Sequence, residues 1–543
     1  MIYPITQFFY YYIDMQVLPL VLALIWSCSL VTPLFIKQDY FREVLIFIIF
    51  IIHLLVIVFL CFLTFSPFIF ILIMGLYSLV TPFLIRKDLF KEVLMFLISI
   101  LHLINAVLLY FLYKGGYKDY ITLFQLGVFD FTLNFTLLGN SIFLLIAILW
   151  PIAIMYTIGF LKVDEEANTE DNCNKFLFFT NLCVVISNLI VLSSNFFTML
   201  ICYEILTFAT IPLIKYTISS RTDKALYKYM QGLFLPSLLF LMPVLVILQY
   251  KYGTTDFLEI VNLQHQDQFL SPFESIILVL FILCGTAKAA TVPFHMWLPT
   301  AMIAPYPVSA ILHAVAVVNV GVFCLLTGIF SVLGEQQWLL YYIQCFIVCG
   351  VLYTAFKALF QTSIKKILAY STISNLGIVV LSAFIGTTGS ITAAITHMFT
   401  HSIGKITLFY AAGCLYVVAK RTDIKDLYSI GYYIPVMSLC FTIGSLSLIG
   451  FPPLAGFVSK YNIILEAIKE HNHLVIFVTI LTSIVSCCYL SRIIKIMYTK
   501  RDNIDINFEL VLPKYMFYAT VLCTGLIILF PFNSILVNFI YNY

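Results

Sequence analysis

Charge is what this chain has least of. Lys, Arg, Asp and Glu together make up 10% of its 543 residues, against about 25% in ordinary soluble domains. A folded soluble enzyme of this length would need a far more charged surface, and with no basic tract nucleic acid is not an expected partner. Metal-binding cysteine patterns are missing too. There are 14 cysteines but no C-x-x-C and no His–Cys cluster. Cys345 and Cys349 share a helix face, yet two thiols without further ligands read as packing rather than as a metal site. No glycine-rich nucleotide loop appears. Met1–Met15 is polar and aromatic and has no basic n-region, so no cleavable leader is expected.

What the chain has in abundance is apolar length, with 62% of its residues hydrophobic. A helix needs about 20 apolar residues to cross the hydrocarbon. Runs of that kind begin near Val17, Glu43, Phe68, Glu92, Ser141, Lys175, Phe196, Tyr229, Phe273, Ile303, Leu339, Lys365, Gly389, Ile430, Leu474 and Met516. The expectation is an all-α integral membrane protein of about 16 spans. When the loops are assigned alternately to two sides, A (with the N-terminus) and B, 22 of the 29 basic residues fall on side B and 4 on side A. Lys365 is counted with the side-B loops. The positive-inside rule makes side B cytoplasmic or matrix-facing. Within the first hundred residues, Ser29–Leu54 is repeated at Ser78–Leu103 as a helical hairpin. Neither copy carries a charge in mid-span, so the pair reads as peripheral surface, and His53 and His102 read as packing histidines.

Against this apolar background a few charges lie where the bilayer makes them costly, at least about 2.5–3.5 kcal/mol each at mid-membrane. They are Glu204, Lys288, Lys405 (with His397 two turns and His401 one turn before it) and Lys460. Two of the lysines adjoin helix breaks, Lys288 before Pro293 and Lys460 after Pro452 and Pro453. A proline frees a backbone carbonyl that protein or water must satisfy. The two broken spans run in opposite directions, the pattern of an inverted repeat with a site in each half. Lysines and histidines linked by water pass protons and form no oxygen cage for Na⁺ or Ca²⁺. Protons are the expected cargo, and Glu204 and Lys288 are expected to pair across two helices.

Four stretches then carry a family resemblance: AKAATVPFHMWLPTAMIAPYPVSAILHAVAVVNVGVF (Ala287–Phe323), IKKILAYSTISNLG (Ile364–Gly377), THMFTHSIGKITLFYAAG (Thr396–Gly413) and GFPPLAGFVSKYNIIL (Gly450–Leu465). Together they resemble the antiporter-like subunits of respiratory complex I, whose relatives occur in multi-subunit Na⁺/H⁺ antiporters and membrane-bound hydrogenases. The resemblance runs from about Asp130 to the C-terminus. It implies a 14-helix core with two inverted repeats and two broken helices over residues 114–543, beside an N-terminal region, 1–113, that holds the duplicated hairpin.

For the site, the resemblance implies Glu204 as the carboxylate of the fifth core helix and Lys288 as its partner on the seventh. It makes His313 a histidine of the eighth, His397, His401 and Lys405 the central relay, and Lys460 the distal lysine. His313 and Lys460 fit the chain-five type best. That type usually continues into a long lateral helix that this sequence does not show, and Asn319 stands where other paralogues have a second lysine. The function implied is proton translocation in the membrane arm of mitochondrial NADH:ubiquinone oxidoreductase, coupled to quinone reduction elsewhere. The chain would then serve an enzyme without doing redox chemistry or binding a cofactor. Its partners would be other membrane-arm and accessory subunits and the lipid of the mitochondrial inner membrane. The other reading is a stand-alone or Mrp-type cation/proton antiporter or a hydrogenase-linked pump subunit.

Overall fold

A computed structural model describes residues 67–85, 88–116, 120–164, 169–216, 220–264, 279–280, 285, 287–332, 337–500 and 512–532, together with positions 48 and 51. The chain falls into two compact units, residues 1–109 and 110–543. The first contains α1 (Pro67–Leu84) and most of α2 (Asp88–Lys114). These form the second copy of the duplicated hairpin, with His102 buried. Apart from positions 48 and 51, the first copy, His53 and the spans expected near Val17 and Glu43 lie outside the described residues, as does most of the span expected near Phe273.

The second unit opens on a feature that the all-α expectation misses. β1 (Tyr120–Leu126) and β2 (Phe129–Asn134) form an antiparallel hairpin turned at Gly127, whose φ is +65°. The hairpin is pinned to the start of a membrane helix by polar contacts. The Asn195 side chain donates to Asp130 O (2.7 Å) and Thr132 Oγ1 (2.6 Å), and Thr132 N donates to Thr198 Oγ1 (2.9 Å).

Helices follow: α3 (Leu137–Leu161), α4 (Glu170–Val191), α5 (Phe196–Ile214) and α6 (Ser220–Pro236), which passes through a π-helical turn, Ser237–Leu241, into α7 (Met242–Tyr252). Then come α8 (Phe257–Gln264), short α9 (Trp297–Thr300), α10 (Tyr306–Ala314), α11 (Val317–Val332), α12 (Gln337–Leu359), α13 (Ile364–Ala383) and α14 (Thr388–Ala419). The series closes with α15 (Ile430–Tyr433), α16 (Pro435–Ile449), α17 (Ala455–Lys469), α18 (His473–Tyr498) and α19 (Lys514–Leu529). Among the described residues ten helices are long and apolar enough to cross a membrane, and three shorter apolar helices accompany them. The chain is a multi-pass membrane protein.

Helix ends are set by local chemistry. Thr136, Thr169, Asn195 and Asn472 each accept from a backbone N–H of the following turn, and Thr387 and Ser390 form a reciprocal capping box at the start of α14. Such caps satisfy donors that the helix itself leaves open. At the far ends, Gly253 and Gly450 take the left-handed conformation (φ +71° and +95°) that stops α7 and α16.

α14 is the centre of the second unit, with α3, α10, α13, α16, α17 and α19 packed around it. Its enclosure explains how a 32-residue helix tolerates two histidines and a lysine. The span Tyr306–Thr327 is wholly buried over its most apolar window, whereas His473–Tyr498 is 44% buried there and turns the rest outward. Loop hydrogen bonds tie each end of this unit together. Gln344 donates to Phe384 O (2.6 Å) and receives from Asn472 (2.9 Å) at the end assigned to side A. At the other end Ile364 N donates to Thr422 O (3.3 Å), and Arg492 donates to Leu359 O (2.9 Å) and Gln361 O (2.7 Å).

Candidate functional site

The buried charges sit where helices are interrupted or meet. His397, His401 and Lys405 are 2%, 2% and 0% exposed on α14. Their spacing of four places them one above the other on one face, about 12 Å from first to last. The Lys405 ammonium donates to Leu368 O at 2.9 Å and to Ser371 Oγ, both on α13. One residue further on α13, Thr372 Oγ1 lies 3.0 Å from His313 Nδ1 and itself donates to Leu368 O at 2.9 Å. A single turn of α13 therefore joins His313 of α10 to Lys405 of α14. The His313 ring lies against Phe409, with centroids 4.8 Å apart.

At the other end of the line, His397 Nδ1 is 2.9 Å from Ser459 Oγ, to which Thr400 also donates at 2.8 Å. Ser459 precedes Lys460 on α17. Between these anchors, His401 makes no hydrogen bond among the described residues through either ring nitrogen, and its ring centroid is 6.4 Å from that of His397. His313, Lys405, His401, His397 and Lys460 thus form one buried line, hydrogen-bonded at both ends and bridged in the middle by the spacing of α14 alone.

Lys460 occupies the second helix break. α16 stops at Ile449, α17 starts at Ala455, and Pro452 and Pro453 lie between. The last turn of a helix has carbonyls without intrahelical donors. The Lys460 ammonium supplies donors to Leu448 O (2.9 Å) and Ile449 O (3.2 Å), and to Ser483 Oγ on α18 (2.9 Å). The lysine is therefore the cap of the upstream half-helix, a role that its charge suits at the negative end of the dipole. Gly456 allows the two halves to approach, since a Cβ there would overlap the Ser447 carbonyl.

The first break is built differently. Helical backbone ends at Lys288, and Ala289–Met296, with Pro293, runs irregularly to α9. Trp297 Nε1 donates to the Ala287 carbonyl at 2.7 Å, and Gly321 of α11 lies so close that a Cβ would overlap the Ala289 nitrogen. Lys288 donates to the Tyr203 carbonyl and sits 3.4 Å from the centroid of the Tyr203 ring.

The expected direct pair with Glu204 is not made: both carboxylate oxygens of Glu204 are enclosed without a hydrogen bond. Successive residues of a helix point about 100° apart. Lys288 meets α5 on the Tyr203 side, where a carbonyl and a π face receive the ammonium, with Glu204 the next residue along and within range of its charge.

Several participants escaped the charge-based reading. Ser371, Thr372 and Ser459 carry the links, and the run YSTISN on α13 was the signal, hydroxyls and an amide three or four apart in an apolar span. A further interruption follows His313, where α10 ends at Ala314 and α11 begins at Val317 without any proline. Asn319 donates to the Ala314 carbonyl, which the interruption frees from the helix, at 2.8 Å and to Ser402 Oγ at 3.1 Å. Lys365 is no simple loop cation. It lies part-buried in the first turn of α13, donates to Ala304 O at 2.6 Å and sits 4.1 Å from the Tyr306 ring centroid. Lys365 also lines a cavity of about 280 Å³ shared with Asp164, Tyr216, Tyr306, Ser363 and Thr422.

A bundle with an enclosed lysine–histidine line and two broken helices is the architecture of an antiporter-like membrane subunit, and the comparisons specify the family. Residues 193–486 match the family model described as NADH:quinone oxidoreductase/Mrp antiporter, TM. That is more than half of the chain, and the protein belongs to this family of antiporter-like, complex I-type membrane subunits.

The chain is 31% identical over 345 residues to NADH-quinone oxidoreductase subunit L of Buchnera aphidicola subsp. Schizaphis graminum, covering 63% of this chain and 55% of that one. It is 30% identical over 408 residues to the putative antiporter subunit mnhA2 of Staphylococcus aureus, covering 69% and 49%. The chain therefore spans about half the length of the curated relatives it matches. In fold it is similar to a chain of the membrane-bound sulfane sulfur reductase, an archaeal respiratory membrane complex, with a TM-score of 0.74 at 21% identity over 88% of this chain and 95% of that one. It is also similar to a chain of the Mrp complex from Dietzia sp. DQ12-45-1b, with a TM-score of 0.73 at 18% identity over 87% and 94%.

Proposed function

We propose that the chain moves protons through Glu204, Lys288, His313, His397, His401, Lys405 and Lys460 as a membrane-arm subunit of NADH:ubiquinone oxidoreductase. The observation that carries this reading is the buried line from His313 through Lys405 to Ser459 and Lys460, in which every basic group is enclosed and His313, Lys405, His397 and Lys460 are held by neutral hydroxyls and carbonyls. Groups held in that way exchange protons without carrying a metal or an organic substrate. In this reading residues 114–543 are the translocating core and residues 1–113 a peripheral addition. Quinone reduction takes place on other subunits, and this chain binds no cofactor. Its partners are neighbouring membrane-arm and accessory subunits.

Similarity to a subunit L supports the chain-five assignment, as do His313 and Lys460. For the mitochondrial inner membrane, with side B facing the matrix, the support is compositional: 51 Phe and 34 Tyr suit an AT-rich organellar gene. A second reading, an Mrp-type antiporter subunit, is favoured by the likeness to mnhA2 and to the Mrp complex. Purification of the native assembly separates the two. Co-purification with flavin- and iron–sulfur-bearing subunits supports the first, and an assembly of small antiporter subunits without redox centres overturns it.

A further inference from the structure

The cavity at Lys365 lies where the loops of the lysine-rich end converge. Its walls come from the segments after α3 and α5, before α10 and α13, and after α14. They carry Asp164, Tyr216, Tyr306, Ser363, Lys365 and Thr422, a polar set in a protein otherwise short of polar surface. Thr422 is exposed at the rim and Tyr306 is buried at the base. One water needs about 10–15 Å³ of such space, so 280 Å³ admits many. Lys365 holds the wall in place, because its bond to Ala304 O ties the segment leading into α10 to the first turn of α13.

From Lys365 the same helix leads inward to the relay. Leu368 and Ser371, the two acceptors of the Lys405 ammonium, are three and six residues further along α13. At helical rise that is about 4.5 and 9 Å, a distance that two or three waters would span. We propose that this chamber is the mouth through which protons from the lysine-rich side reach Lys405, entering along α13 and not past Lys288. The step is a simple transfer. An O–H bond of a hydrated proton in the chamber breaks, an N–H bond forms on the neutral Lys405 amine, and water is left behind. This proposal rests on the relay reading of Lys405.

The test uses the whole assembly in native membrane vesicles with side B outward, in a background where the thiols Cys173, Cys349, Cys487 and Cys488 are serine. Ser363→Cys and Thr422→Cys place a thiol on two separate walls, and a membrane-impermeant cationic methanethiosulfonate is the probe. Each variant is its own reference before and after the reagent. Both thiols should be modified from side B, and proton translocation should then fall at least twofold. Modification that leaves translocation unchanged overturns the proposal, and so does a failure of both thiols to react. Lys405→Met in the same vesicles separates the two levels. If it stops translocation while the modified chamber does not, the mouth lies elsewhere and the relay stands. If Lys405→Met translocates normally, the relay reading itself fails.

Discussion

Lys460 does two jobs that one pair of substitutions separates. Its ammonium caps Leu448 O and Ile449 O at the end of α16 and reaches Ser483 on α18. Removing it in Lys460→Met leaves two carbonyls at a buried helix end, each worth about 1–3 kcal/mol when left unsatisfied. The thioether side chain keeps the apolar packing of the stem, so the loss is mainly that of the donors. The expected cost is about 2–6 kcal/mol, a large share of the margin of any folded unit. In Lys460→Gln an amide N–H₂ can still donate to those carbonyls but carries no transferable charge. The assay is assembly on native gels with the thermal midpoint of the purified complex, read beside proton translocation in vesicles. Lys460→Met should lower both stability and translocation, and Lys460→Gln should spare stability while losing translocation. A Lys460→Met protein with unchanged assembly and midpoint would show that the half-helix end is capped by something else.

Gly321→Ala should prevent close approach of α11 to the first break, because its Cβ overlaps the Ala289 nitrogen. Reduced assembly is expected, and a normal amount of folded protein in the membrane would count against the packing described. Tyr203→Phe should preserve the π face that receives Lys288, whereas Tyr203→Leu removes about 0.5–2 kcal/mol of cation–π attraction. A lower thermal midpoint for the leucine variant alone is the outcome to look for. Asp256, in the loop before α8, accepts from Leu258 N (2.9 Å) and Glu259 N (3.2 Å), yet burial raises its carboxyl pKa on balance. A raised carboxyl stabilises the fold at low pH and withdraws that contribution as pH climbs through its folded value. Asp256→Asn should therefore be the more stable form at neutral pH, with the advantage vanishing in acid, as thermal midpoints across pH would show.

How far the sequence could be read depended on what kind of signal each residue sent. The spacing of His397, His401 and Lys405 made one face of one helix legible, and Pro452 with Pro453 made the second break legible. Both are local patterns that neighbours cannot overturn. The hairpin at Tyr120–Asn134 was not visible, because β1 is largely exposed and its mixed residues read as a linker between spans. The Tyr203 contacts of Lys288 were not foreseen because charge pairing looks for a carboxylate, while a tyrosine ring and its carbonyl carry no sequence sign of that role. The interruption after His313 has neither Gly nor Pro. Its stability depends on Asn319 reaching back to Ala314, a tertiary fit seen only in three dimensions. Lys365 looked like any loop lysine until the segment at Ala304 was folded over it.

The central claim is that Lys405 gives up and regains a proton, and Lys405→Arg tests it most directly. Arginine keeps the positive charge and can donate to Leu368 and Ser371, but it holds its proton at every accessible pH. Protons moved per NADH oxidised, measured in sealed vesicles, should fall in the assembled Lys405→Arg complex as they do in Lys405→Met. A Lys405→Arg complex that translocates with unchanged stoichiometry would contradict the account, because a fixed charge would then suffice where a transferable proton is required.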